Sequence, residues 1–420
     1  MSSVAEDAGQ VGTETRLPRE VWVLIGANAV VALGYGLVAP ILPDLARHFG
    51  VSISAATFVI TAFAVMRLCA APPAGLLIQR MGERRIYVAG LLIVAVTTVA
   101  CAFADTYWQL LVFRGLGGIG STMFFVSALG LMIRISPHDA RGRVSGLFAG
   151  AFLVGSVAGP VLGNLTAGLG LRAPFLMYGV LLLVAAAVVL FGLRKSSLAD
   201  PLDEDSITVT VGVAWRHRAY RSALLSNFAT GWSMFGLRFA LVPLFVEEVL
   251  DRQPRHVAGL ALAAFAIGNV SMVMYSGRLS DRIGRKPLLI GGLVFSAAST
   301  LALGFSTSLP MFFAEAVIAG AASGVYASPQ QAAVADIIGK ARGGTAIAMF
   351  QMMSDFGSIV GSLGVGMLAE QLSYQWAFAL SAAILLIAAV GWIFAPETRD
   401  ALPAREPTGL PEPDRAGELS

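Results

Sequence analysis

Five ionisable side chains stand where a water-soluble fold would not put them. Arg67, Arg114, Arg238, Glu315 and Asp355 each fall inside a long apolar run. Charges are costly in hydrocarbon and mark ion or substrate paths when they occur there. At about 1.5 Å per helical residue, Asp355 lies roughly 18 Å past Gly343, near the middle of its run. A carboxylate at that depth can take up and release a proton as its surroundings alternate. The competing reading makes Asp355 a packing residue hydrogen-bonded to Ser354 or Gln351. Arg67 lies about 12 Å from one face, and Arg114 and Glu315 lie roughly 10 Å from the other. Arg114 and Glu315 hold equivalent places with opposite charge, which invites an ion pair. Arg238 is nearer the same face as they are.

The elements that carry these charges must face lipid. Of 420 residues, 56% are hydrophobic and 13% charged, with mean hydropathy +0.74; a soluble chain this long needs more polar surface. A span needs roughly 17–25 apolar residues. Runs of that kind occur at 21–43, 53–77, 86–104, 107–132, 144–169, 173–193, 222–246, 256–277, 287–306, 309–335, 345–369 and 373–395. The expected fold is an all-α integral membrane protein of twelve transmembrane helices in two six-helix bundles. Its parts are a tail at 1–20, bundles at 21–193 and 222–396, a polar linker at 194–221, and a disordered tail at 397–420. The first apolar run is too long for a signal-peptide core and is expected to stay in place. With both termini cytoplasmic, 22 of the 29 Lys and Arg fall on that side, four fall outside and three lie within spans. Positive charge gathers on the cytoplasmic side, so this orientation follows, in the plasma membrane. Cys69 and Cys101 lie within apolar runs, which argues against a disulfide framework.

The chain repeats itself at an offset of about 202 residues. The stretch Gly75-Leu-Leu-Ile-Gln79-Arg80-Met-Gly82-Glu-Arg84 is echoed by Gly277-Arg-Leu-Ser-Asp281-Arg282-Ile-Gly284-Arg285-Lys286. Ala140-Arg-Gly142 matches Ala341-Arg-Gly343, and Gly155 and Gly159 match Gly357 and Gly361. One offset kept over several loops and helices indicates duplication, and in such carriers the substrate site lies between the repeats. In both turns glycine permits a tight reversal. The carboxylate of Asp281 can rest on the positive end of a neighbouring helix or on an Arg and act as a breakable latch. Gln79 cannot make that charge-assisted contact, so the first copy is expected to be the weaker latch.

Four motifs then carry a family resemblance: the paired turns; Leu33-Gly34 with Pro40 and Pro43; Leu110-x-x-x-Arg114-x-x-Gly-Gly118-x-Gly120; and Gly155-x-x-x-Gly159-Pro160-x-x-Gly163. In this order the chain resembles the major facilitator superfamily, in its twelve-span drug:proton antiporter branch, over residues 20–396. The resemblance implies export for the Gly155–Gly163 motif and a part in proton coupling for Arg114. The physics alone gives that motif close helix packing and a kink at Pro160. The chain departs from many such antiporters in having no acid between Glu20 and Asp44. Proton coupling is therefore expected of Asp355 and Glu315, with Arg114 beside them.

Asn28, Tyr35, Asn227, Trp232, Phe235, Gln330 and Gln351 supply amide and aromatic groups for a cavity that suits amphipathic molecules. The leading expectation is a secondary transporter, driving small amphiphilic compounds such as antibiotics outward by alternating access, with a proton as coupling ion and no other cofactor. The alternatives are a dedicated carrier of one metabolite, sugar or lipid-like molecule, and a non-transporting sensor or scaffold. The chain shows no metal-spaced cluster, phosphate loop or nucleophile elbow, so neither an enzyme nor a nucleotide or nucleic-acid partner is expected. The bilayer and a small-molecule substrate are the expected partners, and the working unit is a monomer.

Overall fold

The computed structural model describes residues 17–38, 42, 45, 49–51, 53–137, 140–166, 170–194, 208–246, 256–339 and 341–399. Pro40, Pro43 and Asp44 lie outside the described residues, as do the side chains of Pro160 and Phe235 and the surroundings of Gly163. The first half consists of α1 (Arg19–Val38), α2 (Ile53–Met81), α3 (Glu83–Ala102), α4 (Tyr107–Ile135), α5 (Arg141–Thr166) and α6 (Ala173–Gly192). The second begins with α7, which runs from Arg218–Gly231 through a π-helical Trp232–Leu241 to Val242–Phe245. It continues with α8 (His256–Ile283), α9 (Lys286–Leu303), α10 (Leu309–Ile338), α11 (Gly344–Gln371) and α12 (Tyr374–Ile393). Among the described residues, nine helices are long and apolar enough to cross a membrane. Their outward faces carry bare apolar side chains such as Val96, Phe191, Phe295 and Ile393, the surface that hydrocarbon wets.

The repeat seen in the sequence is a repeat of packing. In the first half α1 packs on α5 and α6, and α4 lies against α2 and α3; in the second α7 packs on α11 and α12, and α10 lies against α8 and α9. Small residues allow these approaches. A Cβ on Gly155 or Gly159 would lie 2.6 or 2.5 Å from a carbonyl oxygen of α1, and one on Gly357 would lie 2.2 Å from the Phe228 carbonyl of α7. Buried amides tie the same helix pairs: Asn28 donates to the Phe148 carbonyl at 2.9 Å and Asn227 to the Phe350 carbonyl at 2.6 Å.

The halves meet along α5 with α8 and along α2 with α11. Both crossings are made of glycine. A Cβ on Gly142 would lie 2.3 Å from the Gly277 carbonyl, and one on Gly344 would lie 2.7 Å from the Gly75 carbonyl. Gly75 and Gly277 therefore serve close approach within helices rather than the reversal expected of them. The reversal belongs to Gly82 (φ 81°) and Gly284 (φ 100°), which adopt the left-handed region that favours glycine.

Two boundaries differ from expectation. In the linker, Thr208 pairs with Arg342 in an isolated parallel β-bridge, Val211–Trp215 forms a short helix, and α7 starts at Arg218 rather than 222. The tail expected to be free from 397 begins with three docked residues. Glu397 accepts from the backbone N–H of Arg285 (2.8 Å) and Lys286 (3.0 Å), at the positive start of α9. Arg399 donates to the Arg282 carbonyl at 2.6 Å.

Candidate functional site

The midplane charge expected to bind a proton has a partner from the other half. Arg67 of α2 reaches Asp355 of α11 with Nε at 3.2 Å and Nη2 at 3.1 and 3.3 Å, a forked contact. Its Nη1 donates to Ser121 of α4 at 2.7 Å, and its carbonyl accepts from Thr122 at 3.0 Å. Gln351, one turn before Asp355, hydrogen-bonds the same carboxylate. The side chains of Arg67 and Asp355 are 14% and 13% exposed, so the pair is shielded without being sealed. Local sequence explains the fit. Gly118 lets α2 approach α4, since a Cβ there would lie 2.5 Å from the Phe63 carbonyl. An ion pair of this kind holds only while the carboxylate is ionised, so a proton on Asp355 removes the charge-assisted link between α2 and α11.

Arg114 and Glu315 do not pair. The Arg114 guanidinium lies over the Phe63 ring, 4.1 Å from its centroid. Ser306 hydrogen-bonds Glu315 near the start of α10. Equivalent places in two repeats put these side chains in different halves, each with a local partner. Arg238 is buried on the π-helical part of α7, 4.0 Å above Phe265.

A second polar cluster binds the halves at the end that carries the basic turns. Asp281 accepts from the backbone N–H groups of Gly142 and Arg143, both at 2.8 Å, and so caps the start of α5 from across the boundary. Arg285 donates to the same carboxylate at 2.6 Å and to Asp336 at 3.0 Å, and Arg141 reaches Asp336 at 3.1 Å. Burial works against the charge on Arg285, but Asp336 and Asp281 outweigh it and hold the guanidinium above its ordinary range. In the first copy Gln79 donates to Thr345 at the start of α11, at 3.0 Å. Arg80 and Arg282 are exposed beside these contacts.

Sequence reasoning missed Glu83, Arg134 and Asp336. Glu83 is buried and meets Arg134 of α4 at 2.5 Å. At the repeat offset of 202, Glu83 corresponds to Arg285 and Arg134 to Asp336. The same bridge recurs with its charges exchanged, a signal that a search for identical residues overlooks.

Most of the amides and aromatics expected to line a cavity are engaged in packing. Asn28, Asn227 and Gln330 are buried, and Gln330 donates to Asn227 at 2.8 Å. Trp232 donates to Ser381 at 2.9 Å and presses on Gly361 and Gly364. Tyr35 is half-buried against the hydrophobic core, and Gln351 faces Asp355. Among the described residues, no group of three or more His, Cys, Asp or Glu is placed to hold a metal ion.

Comparison with known proteins places this architecture. Over 306 residues the chain is 26% identical to "Multidrug resistance protein 2" of Bacillus subtilis (strain 168), covering 69% of this chain and 75% of that one. It is 30% identical over 293 residues to "Tetracycline resistance protein, class C" of Escherichia coli, covering 68% and 73%. Among solved structures, the human organic anion transporter MFSD10 superposes with TM-score 0.72 at 17% identity, over 89% of this chain and 99% of that one. The proton:xylose symporter XylE superposes with TM-score 0.73 at 15% identity, over 90% and 96%. The Major Facilitator Superfamily model matches residues 24–254 and 224–415. With its doubled six-helix packing and paired glycine turns, this multi-pass membrane chain belongs to the major facilitator superfamily.

Proposed function

We propose that the protein is a proton-coupled exporter of small amphiphilic compounds that works by alternating access. The observation that carries this reading is the Arg67–Asp355 pair. It joins the two halves at mid-depth, and its strength depends on one ionisable carboxylate. Protonation of Asp355 weakens that link and favours parting of α2 from α11; loss of the proton draws them together. A proton entering from one side and leaving on the other would then bias which end is open. The relatives named for multidrug and tetracycline resistance support the export of foreign amphiphiles. In this reading the basic turns face the cytoplasm, as the distribution of Lys and Arg requires. The Asp281 and Gln79 contacts close that end. Both termini are cytoplasmic, the membrane is the plasma membrane and the protein acts as a monomer.

The test is movement of a fluorescent lipophilic dye in proteoliposomes under an imposed pH gradient. The wild type should respond to the gradient, while Asp355→Asn should bind the dye yet ignore the gradient. Equal gradient-driven movement by both proteins would exclude Asp355 as the proton site, and a wild type indifferent to pH would exclude proton coupling altogether.

A further inference from the structure

Phe63 of α2 and Phe265 of α8 stand 202 residues apart, at equivalent places in the repeat. Each has a guanidinium over its ring, but the arginines come from non-equivalent helices. Arg114 of α4 lies 4.1 Å above Phe63, and Arg238 of α7 lies 4.0 Å above Phe265. Two non-equivalent helices have thus delivered the same group to equivalent rings. Arg114 lies seven residues from the start of α4 and Arg238 seven from the end of α7 at Phe245, so both lie roughly 10 Å in from the same face.

Among the described residues, neither arginine has a carboxylate in contact with it. Arg114 is 6% exposed and Arg238 3%, and Nε of Arg114 and both Nε and Nη2 of Arg238 are buried with no hydrogen-bond partner. The acids within the described spans are occupied: Asp355 holds Arg67, and Glu315 accepts from Ser306. A guanidinium does not escape by losing its proton. A ring face only partly offsets the cost of burying an unpaired ion. What matches a planar fork of N–H donors lying on an aromatic ring is a planar anion on an aromatic or apolar body, which the fork can grip with two parallel hydrogen bonds.

We infer that Arg238 on Phe265, with Arg114 on Phe63 as its counterpart in the other half, recognises the anionic head of an amphiphile of the aromatic carboxylate class. The inference rests on the proposed transport of amphiphiles and narrows their class. A grip supplied once by each half suits a ligand held between them.

The test uses the purified full-length protein in detergent and two probes sharing one ring system: 2-naphthoate and 2-naphthyltrimethylammonium, titrated calorimetrically. The wild type should bind the carboxylate more tightly than the ammonium. Arg238→Gln should weaken carboxylate binding by about tenfold or more, the scale of one charge-assisted contact, and leave the ammonium unchanged. Arg238→Lys, which keeps the charge but loses the fork, should fall between. A wild type that prefers the ammonium, or an Arg238→Gln protein that binds the carboxylate as the wild type does, overturns the inference. Should Arg238→Gln fail to fold, the wild-type preference together with Arg238→Lys decides. Carboxylate binding that needs Arg238 in a protein whose dye movement ignores pH would uphold the anion site and reject proton coupling. The opposite pair of results would reject the site alone.

Discussion

Arg67 and Asp355, 288 residues apart in the chain, form a forked ion pair across the boundary between the two bundles, with Ser121 holding the guanidinium from behind. Removing one member of a shielded pair leaves an uncompensated charge, at a cost of about 3 kcal/mol. Arg67→Ala should therefore lower the thermal unfolding midpoint and abolish gradient-driven dye movement. The exchange of Arg67→Asp with Asp355→Arg should recover more stability than either single change keeps. Additive losses, read by thermal unfolding of the four proteins, would mean that the two side chains do not act on one another.

The two turn contacts predict unequal closure. Asp281 accepts two backbone N–H groups at the start of α5 as well as a guanidinium, whereas Gln79 makes one neutral hydrogen bond to Thr345. Hydrogen bonds to a charged group contribute about 1.5–3 kcal/mol and a neutral one about 1 kcal/mol. Asp281→Asn should raise thiol labelling of a cysteine placed at the boundary beside the basic turns several times more than Gln79→Ala. Gln79→Asp should lower it, because a carboxylate there would meet the positive start of α11. Equal labelling of Asp281→Asn and Gln79→Ala would refute the asymmetry.

A side chain at a glycine crossing should hold the boundary apart. A Cβ on Gly277 would lie 2.3 Å from the Gly142 carbonyl, backbone that cannot move aside cheaply. Gly277→Val should leave each bundle folded, shift the population toward the state open at the basic end, and slow dye transport at least tenfold. The same change at Gly75, whose nearest neighbours would be 2.9–3.0 Å away, should act more mildly. Distance measurements between spin labels on α5 and α8 would show the shift.

The docked start of the C-terminal tail predicts a pH effect of definite sign. Glu397 is partly buried, which disfavours its charge, but backbone N–H donors from Arg285, Lys286, Thr398 and Arg399 hold its carboxyl below the ordinary value of 4.5. Its contribution is complete above that value and is lost as pH falls through the lowered one. The contact resembles a helix cap and is worth about 1 kcal/mol. Truncation after Arg399 should leave the unfolding midpoint near neutral pH unchanged, whereas Glu397→Gln should lower it. The difference between Glu397→Gln and wild type should shrink on acidification below pH 4.5.

The sequence made the bundles legible because lipid enforces long apolar runs and duplication leaves a fixed offset. Asp355 stood out for the same reason: a carboxylate has few reasons to lie mid-span. Its pairing with Arg67 did not, because Arg67, itself a visible intramembrane charge, lies 288 positions away and nothing local says which such charge Asp355 faces. Equivalence misled at Arg114 and Glu315, since the same place in two repeats means the same environment rather than contact. It was under-used at Glu83 and Arg134, where the relation to Arg285 and Asp336 is an exchange of charges. The π-helical stretch of α7 left no periodic signal either. It lies where Gly231 and Gly236 bring the backbone of α7 directly onto α11.

The crossings of Gly142 with Gly277 and of Gly75 with Gly344 bear on how quickly such a molecule can change shape. Interdigitated side chains must find new rotamers when two surfaces part, whereas bare backbone separates without any such search. Each bundle can thus rock as an intact body, leaving its interior undisturbed. The tilt between open and shut then rests on a handful of polar fastenings, and single substitutions can retune the rate of turnover while the architecture survives.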